Sequence, residues 1–143
     1  MHDSIASQNR WNDDDQYSAF QKNFFNACTT TKNPNGYYYY KGGTTPIGRL
    51  LTIFGDDNQP PSPPLPIPRT APKRLLINNS RVLYVIGADV QIDSDIEYGT
   101  TGTNPSLVII VQKDNQGNGG NILIDPKVQR IDATLIADGT LLN

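Results

Sequence analysis

The stretches "GADVQIDSDI" (residues 87–96) and "GGNILIDPKV" (residues 119–128) are one short text written twice, 32 positions apart. Gly87 matches Gly119, Asp89 matches Asn121, and Asp93 matches Asp125. Val90 and Ile92 match Ile122 and Ile124, and Ile96 matches Val128. The shared form is G-x-[DN]-[VI]-x-I-D-x-x-[IV]. An aliphatic run precedes each copy, at residues 83–86 and 107–111. A repeat of this size points to a solenoid, propeller or array. The local pattern favours a right-handed parallel β-helix, in which short strands meet at tight corners and alternate aliphatics stack inward. Asp and Asn suit such corners because they tolerate left-handed backbone, and glycine permits the sharp bend. Pro126 closes the strand "NILID", since proline in mid-sheet loses a ladder hydrogen bond. This reading turns Ile122, Ile124 and Val128 inward and Leu123 and Lys127 outward. It continues with Ile131, Ala133, Leu135 and Ala137 at period two. The alternative is a β-sandwich containing two similar hairpins.

Outward from the repeat, residues 73–143 read as successive short strands separated by turn residues, with no helix-length amphipathic segment. Residues 56–72 hold seven prolines between Pro60 and Pro72. Proline fixes φ and lacks an amide donor, so this stretch is a polyproline-like connector, not an interior strand or a helix. Residues 1–55 form a polar N-terminal cap. Within it, Tyr17, Phe20, Phe24 and Ala27 are spaced for one short amphipathic helix, with Asp13–Asp15 at its start. "YYYYKGG" (residues 37–43) and "RLLTIFG" (residues 49–55) read as strands at its edge. The expected class is therefore mainly β, with a short N-terminal helix, a proline-rich connector and a β-solenoid.

At 143 residues the chain is one domain in size, with a net charge of -2. It shows no basic patch for nucleic acid and no apolar run long enough to span a bilayer. A single cysteine, Cys28, excludes an intrachain disulfide. One histidine, His2, and one cysteine, Cys28, do not make a standard zinc site, and a Cys-His dyad or Ser-His-Asp triad would have to draw on His2 at the terminus. The N-terminus has no signal-peptide pattern. "IADGTLLN" stops within a strand-like pattern, so the chain is expected to be a fragment of a longer protein.

The text "VIGADVQIDSDIEYG", "SLVIIVQKDNQGNGGNILIDPKV" and "IDATLIADGTL" resembles β-helical segments of large, mostly uncharacterised bacterial surface or secreted proteins. It is also similar to the polymer-forming bactofilin type of β-helix, although bactofilins are more regular from coil to coil and lack a proline-rich insertion. The resemblance covers less than half of the chain and brings no catalytic residues. It implies a passive scaffold, stalk or adhesin module at the cell surface or outside the cell.

Three chemistries are legible beside that reading. In "DNQGNGGNILID", Asp114, Gln116, Asn118 and Asp125 loosely follow a calcium-loop spacing, making calcium the one cofactor suggested. Gln116 and Asp125 depart from that pattern, and a polar hairpin-like loop is the competing reading. Asp93 and Asp95 share a side if their segment is extended, as two acids in a glycan-cleaving site would, while Tyr37 and Tyr39 could stack on sugar rings. Corner-capping aspartates and packed tyrosines are the plainer reading of the same residues. An uncapped coil near Leu141 would expose a sheet edge able to pair with another chain. The sequence thus predicts a non-enzymatic structural or adhesive module, with a carbohydrate-binding or carbohydrate-cleaving protein and a self-assembling filament subunit as the alternatives.

Overall fold

The computed structural model describes residues 10–11, 36–44, 49–55, 74–99 and 104–142. Among these the chain is mainly β, with eleven strands and no helix. The helix expected around Tyr17–Ala27 and the proline-rich segment lie outside the described residues. The strands are β1 (Arg10–Trp11), β2 (Tyr37–Lys41), β3 (Leu50–Ile53), β4 (Arg74–Ile77), β5 (Arg81–Ile86) and β6 (Asp89–Ile92). They continue with β7 (Asp95–Tyr98), β8 (Leu107–Gln112), β9 (Ile122–Ile124), β10 (Thr134–Ala137) and β11 (Leu141–Leu142).

These strands build three sheets: β1-β2-β5-β8-β10, β11-β9-β6-β3 and β4-β7. Every pairing between named strands is parallel. From β2 onward the chain enters the sheets in rotation, one strand to each wall per turn, except that no strand forms on the third wall between β9 and β10. Parallel neighbours require a crossover and cannot be joined by a tight hairpin, so the two-hairpin sandwich is not formed. The sheets also run back across the proline-rich segment. β2 pairs with β5, and β3 pairs with β6, so strands that precede this segment in sequence pair with strands that follow it.

Side chains alternate along the strands, and the inward ones form columns from turn to turn. In the five-stranded wall one column is Tyr38, Leu83, Ile109, Leu135 and the next is Tyr40, Val85, Val111, Ala137. In the four-stranded wall the columns are Leu51, Val90, Ile122, Leu141 and Ile53, Ile92, Ile124. The third wall supplies Leu75 and Ile96, then Ile131 through an isolated bridge. Most of these are buried in one contiguous core, the half-buried members lie in the later turns, and Leu141 at the end of its column is exposed. Burying each Leu, Ile or Val contributes about 1.5–3 kcal/mol.

The repeat corresponds to true register: Val90 lies beside Ile122 and Ile92 beside Ile124. It fails at its last position. Ile96 is matched to Ile131 and not to Val128. The reason is the turn at Asp125–Val128, where the Val128 amide donates to the Asp125 carbonyl at 3.0 Å and adds three residues before the third wall. Val128 still packs partly on the core, and Lys127 points to solvent.

Corners are closed by polar side chains reaching to the next turn. Asp89 Oδ1 accepts from the Asn121 amide at 3.0 Å, and Asn121 Oδ1 accepts from the Thr140 amide at 2.8 Å. Such bonds satisfy main-chain donors that a corner removes from the ladder. At the same corner Gly119 has φ +80, and a Cβ there would lie 2.3 Å from the Ala88 amide nitrogen. Only glycine allows the two turns to approach so closely.

Candidate functional site

The corner between β8 and β9 carries the acid loop noted for its calcium-like spacing. Here Asp114 Oδ1 accepts from the amides of Gln116 and Asn118, both at 2.9 Å. Asp114 Oδ2 accepts from Asn118 Nδ2 at 3.1 Å. Asn118 therefore presents donors to the carboxylate instead of joining it as a ligand. The hydrogen bond from the Asn118 amide is the main cause holding the Asp114 carboxyl below its usual range; desolvation opposes it, and the Asn118 side chain, the Gln116 amide and the Arg49 charge add to the lowering. Asp125 belongs to the following corner, beyond β9. Its Oδ1 accepts from the Lys127 amide at 2.9 Å, and the Lys127 ammonium lies 3.6 Å from Oδ2. Among the described residues no group of three or more His, Cys, Asp or Glu side chains is placed to hold a metal ion. No helix among them is long and apolar enough to cross a membrane.

Tyr37 and Tyr39 share the outer side of β2, with Tyr38 and Tyr40 buried beneath. Tyr37 is exposed, whereas Tyr39 stacks on Tyr84 of the next turn with ring centroids 5.5 Å apart and planes 7° from parallel. Because the rings stack on each other, one face of each is already covered. The Tyr84 hydroxyl is hydrogen-bonded to Gln112 Oε1. Burial raises its pKa, and the neighbouring Tyr39 and Asp138 add to the rise.

The two acids read as a pair are parted by the bend at Ser94. Asp93 Oδ1 accepts from Gln91 Nε2 at 2.9 Å, beside the four-stranded wall. Asp95 is only 5% exposed, and its Oδ1 accepts from the amides of Gln129 at 2.7 Å and Arg130 at 3.2 Å. Asp95 thus anchors the following turn.

Asp95 belongs to a larger ionic cluster on the outer face of the third wall. Glu97, two residues on and also buried, bridges two guanidinium groups. Arg130 Nη1 lies 3.1 Å from its Oε1 and Arg74 Nη1 lies 3.5 Å from its Oε2. Arg130 also makes a forked contact to Asp132, with Nη2 at 2.8 Å from Oδ2 and Nε at 3.1 Å from Oδ1. Asp132 Oδ2 accepts from the Tyr98 amide at 3.0 Å. Burial pushes the Asp132 carboxyl upward. The Arg130 guanidinium and the Tyr98 amide outweigh that and hold it below the ordinary carboxylate range. The hydrogen bond to Asp132 raises Arg130 in turn. Arg74 Nε is buried without a hydrogen-bond partner. It borders a cavity of ≈ 230 Å³ shared with Asn78, Glu97 and Arg130.

The sequence reading singled out Asp95 but missed Arg74, Glu97, Arg130 and Asp132. A signal existed. "DIE" (residues 95–97) and "RID" (residues 130–132) each place two charges at period two, 35 positions apart. No protein-family model, curated protein or solved structure matches the chain.

Proposed function

We propose that the chain is a right-handed parallel β-helix acting as a non-enzymatic structural or adhesive module of a bacterial surface or secreted protein. The observation that carries this reading is the in-register parallel stacking of successive turns around three walls. Right-handedness follows from the strong preference of parallel crossovers for that hand. In such a coil each turn contacts its neighbours and the assembly resists bending. Its outer faces are then available for display or adhesion. Glu97, bridging Arg74 and Arg130, and Asp132, accepting from the Tyr98 amide, serve this role as fasteners between turns.

A glycan microarray probed with the purified chain tests the choice between scaffold and carbohydrate protein. The scaffold reading expects no retained glycan. Retention that disappears in Tyr37→Ala or Asp93→Ala would replace it with the carbohydrate reading.

Self-association through the edge of β10 and β11 is the second reading. It is favoured by Ile136, Leu141 and Leu142, which are 50%, 52% and 50% exposed. An edge that presents apolar side chains and unpaired main-chain groups invites another strand. Sedimentation velocity across a concentration series is expected to show growing mass, reduced in Leu142→Lys. A monomer at every concentration would remove this reading.

A further inference from the structure

One wall of the third turn is not a strand. Between β9 and β10, residues 125–133 cross the third wall as a strap, meeting β7 at the isolated bridge Ile96–Ile131. Two main-chain bonds flank that bridge: the Ile96 amide donates to the Arg130 carbonyl at 2.9 Å, and the Asp132 amide to the Ile96 carbonyl at 2.8 Å. A third main-chain bond, from the Asp125 amide to the Ile92 carbonyl at 3.0 Å, ties the start of the strap to β6, and the other polar fastenings depend on carboxylates. Asp95 accepts from the Gln129 and Arg130 amides, Glu97 pairs with Arg130, and Asp132 accepts from the Tyr98 amide.

Apolar burial adds little here. Val128 and Ile131 are only partly buried, whereas Ile109 and Val111 on β8 are fully buried. Space remains on both sides of the strap. A cavity of ≈ 360 Å³ lies against Ile124, Val128 and Ile131, and the ≈ 230 Å³ cavity lies between Arg74, Glu97 and Arg130. The strap is held by charge where the walls are held by packing. Local opening begins where buried apolar contact is scarce.

We propose that the strap is an acid-released latch: as acid weakens the carboxylate fastenings around Asp132, residues 125–133 come free from β7 before the three walls unfold. The charged and titratable groups facing these carboxylates are Arg74 from β4, Arg130 from the strap and Tyr98 from β7 itself. A neutral acid retains a weak acceptor but loses its attraction to both guanidinium groups and its strong hold on main-chain amides. Asp132 titrates below its unfolded value. Its contribution is complete above the ordinary carboxylate range and is lost as pH falls through the folded value. Release uncovers Ile96 and leaves one edge of β7 open to pairing with another strand.

Hydrogen exchange read by mass spectrometry, corrected for the intrinsic rate at each pH, tests the latch on the intact chain. Between about pH 7 and about pH 3, a span that brackets carboxylate titration, protection over residues 125–133 is expected to fall about tenfold or more. Protection over β8 is expected to change less than about twofold, as for a separate opening unit. Equal loss in both segments, or no loss in the strap by about pH 3, overturns the proposal. Asp132→Ala is expected to reproduce the strap-only loss at about pH 7. Should that variant fail to fold, the acid series on the unaltered chain decides the matter alone.

Discussion

Replacing Gly119 by alanine measures how closely the turns are packed, and Gly117 provides the control. The two glycines have nearly the same backbone, φ +80 and φ +82. An L-residue in this left-handed region costs about 1–2 kcal/mol. Restricting the unfolded chain returns about 0.4–1 kcal/mol of that. A Cβ at Gly117 meets nothing within 4 Å, so Gly117→Ala should cost no more than about 1.6 kcal/mol. At Gly119 the same Cβ falls 2.3 Å from the Ala88 nitrogen and 2.6 Å from its oxygen. These are main-chain atoms of the preceding turn and cannot swing aside. Separating the turns breaks the 3.1 Å bond from the Gly120 amide to the Ala88 carbonyl. It also strains the 2.9 Å bond from Val90 to Asn121. Two bonds at about 0.5–1.5 kcal/mol each, added to the backbone cost, give a loss of about 1–5 kcal/mol. Urea unfolding followed by circular dichroism is the assay. With an m-value of about 1–2 kcal/mol/M, the midpoints of the two variants should differ by about 0.5 M or more at unchanged slope. Equal midpoints would refute the close approach of Gly119 to Ala88.

Ile92→Ala, at a fully buried position, should cost about 2–5 kcal/mol, whereas Ile136→Ala on the outer face should cost well under about 1 kcal/mol; chemical denaturation separates them. A double-mutant cycle on Tyr39→Ala and Tyr84→Ala should return a coupling of about 0.5–1.5 kcal/mol from their stacking, and zero coupling would mean that the rings do not meet. Stability should decline as pH falls through and below the ordinary carboxylate range, because Asp132 is held low in the fold, and Asp132→Asn should flatten part of that decline. A thermal scan with and without added calcium should give one midpoint, since both Asp114 oxygens already accept hydrogen bonds from their own loop; a clear upward shift with calcium would show that the loop rearranges to bind the ion.

The repeat was legible because one wall keeps a constant offset over three inward and outward positions, Val90 to Ile122 through Ile92 to Ile124. Other walls use other offsets, so no single period runs through the chain. Val82 pairs with Val108 across 26 positions, and Ile96 with Ile131 across 35. The corner insertions that cause this are polar and structurally tolerated, and they hide the coil from any fixed-period comparison. Strand character at Tyr37–Lys41 and Leu50–Ile53 was visible from composition, but their parallel partners beyond the proline-rich segment were not. The ionic cluster was harder still. Asp95 and Asp93 look like a pair two residues apart, yet a bend turns them to different walls, and the partners of Asp95 lie about 35 positions away. Only the fold joins Glu97 to both Arg74 and Arg130.

Disulfide trapping across β5 and β8 tests the central claim, parallel in-register stacking, most directly. Val82 and Ile86 point outward beside Val108 and Gln112, and parallel neighbours about 4.8 Å apart fall within bridging range. In a Cys28→Ser background, which removes the sole native thiol, the Val82→Cys/Val108→Cys and Ile86→Cys/Gln112→Cys pairs should both close within one chain on mild oxidation. The crossed pair, Val82→Cys/Gln112→Cys, should stay reduced. Closure of the crossed pair with failure of the two direct ones would mean antiparallel pairing and would contradict the coil.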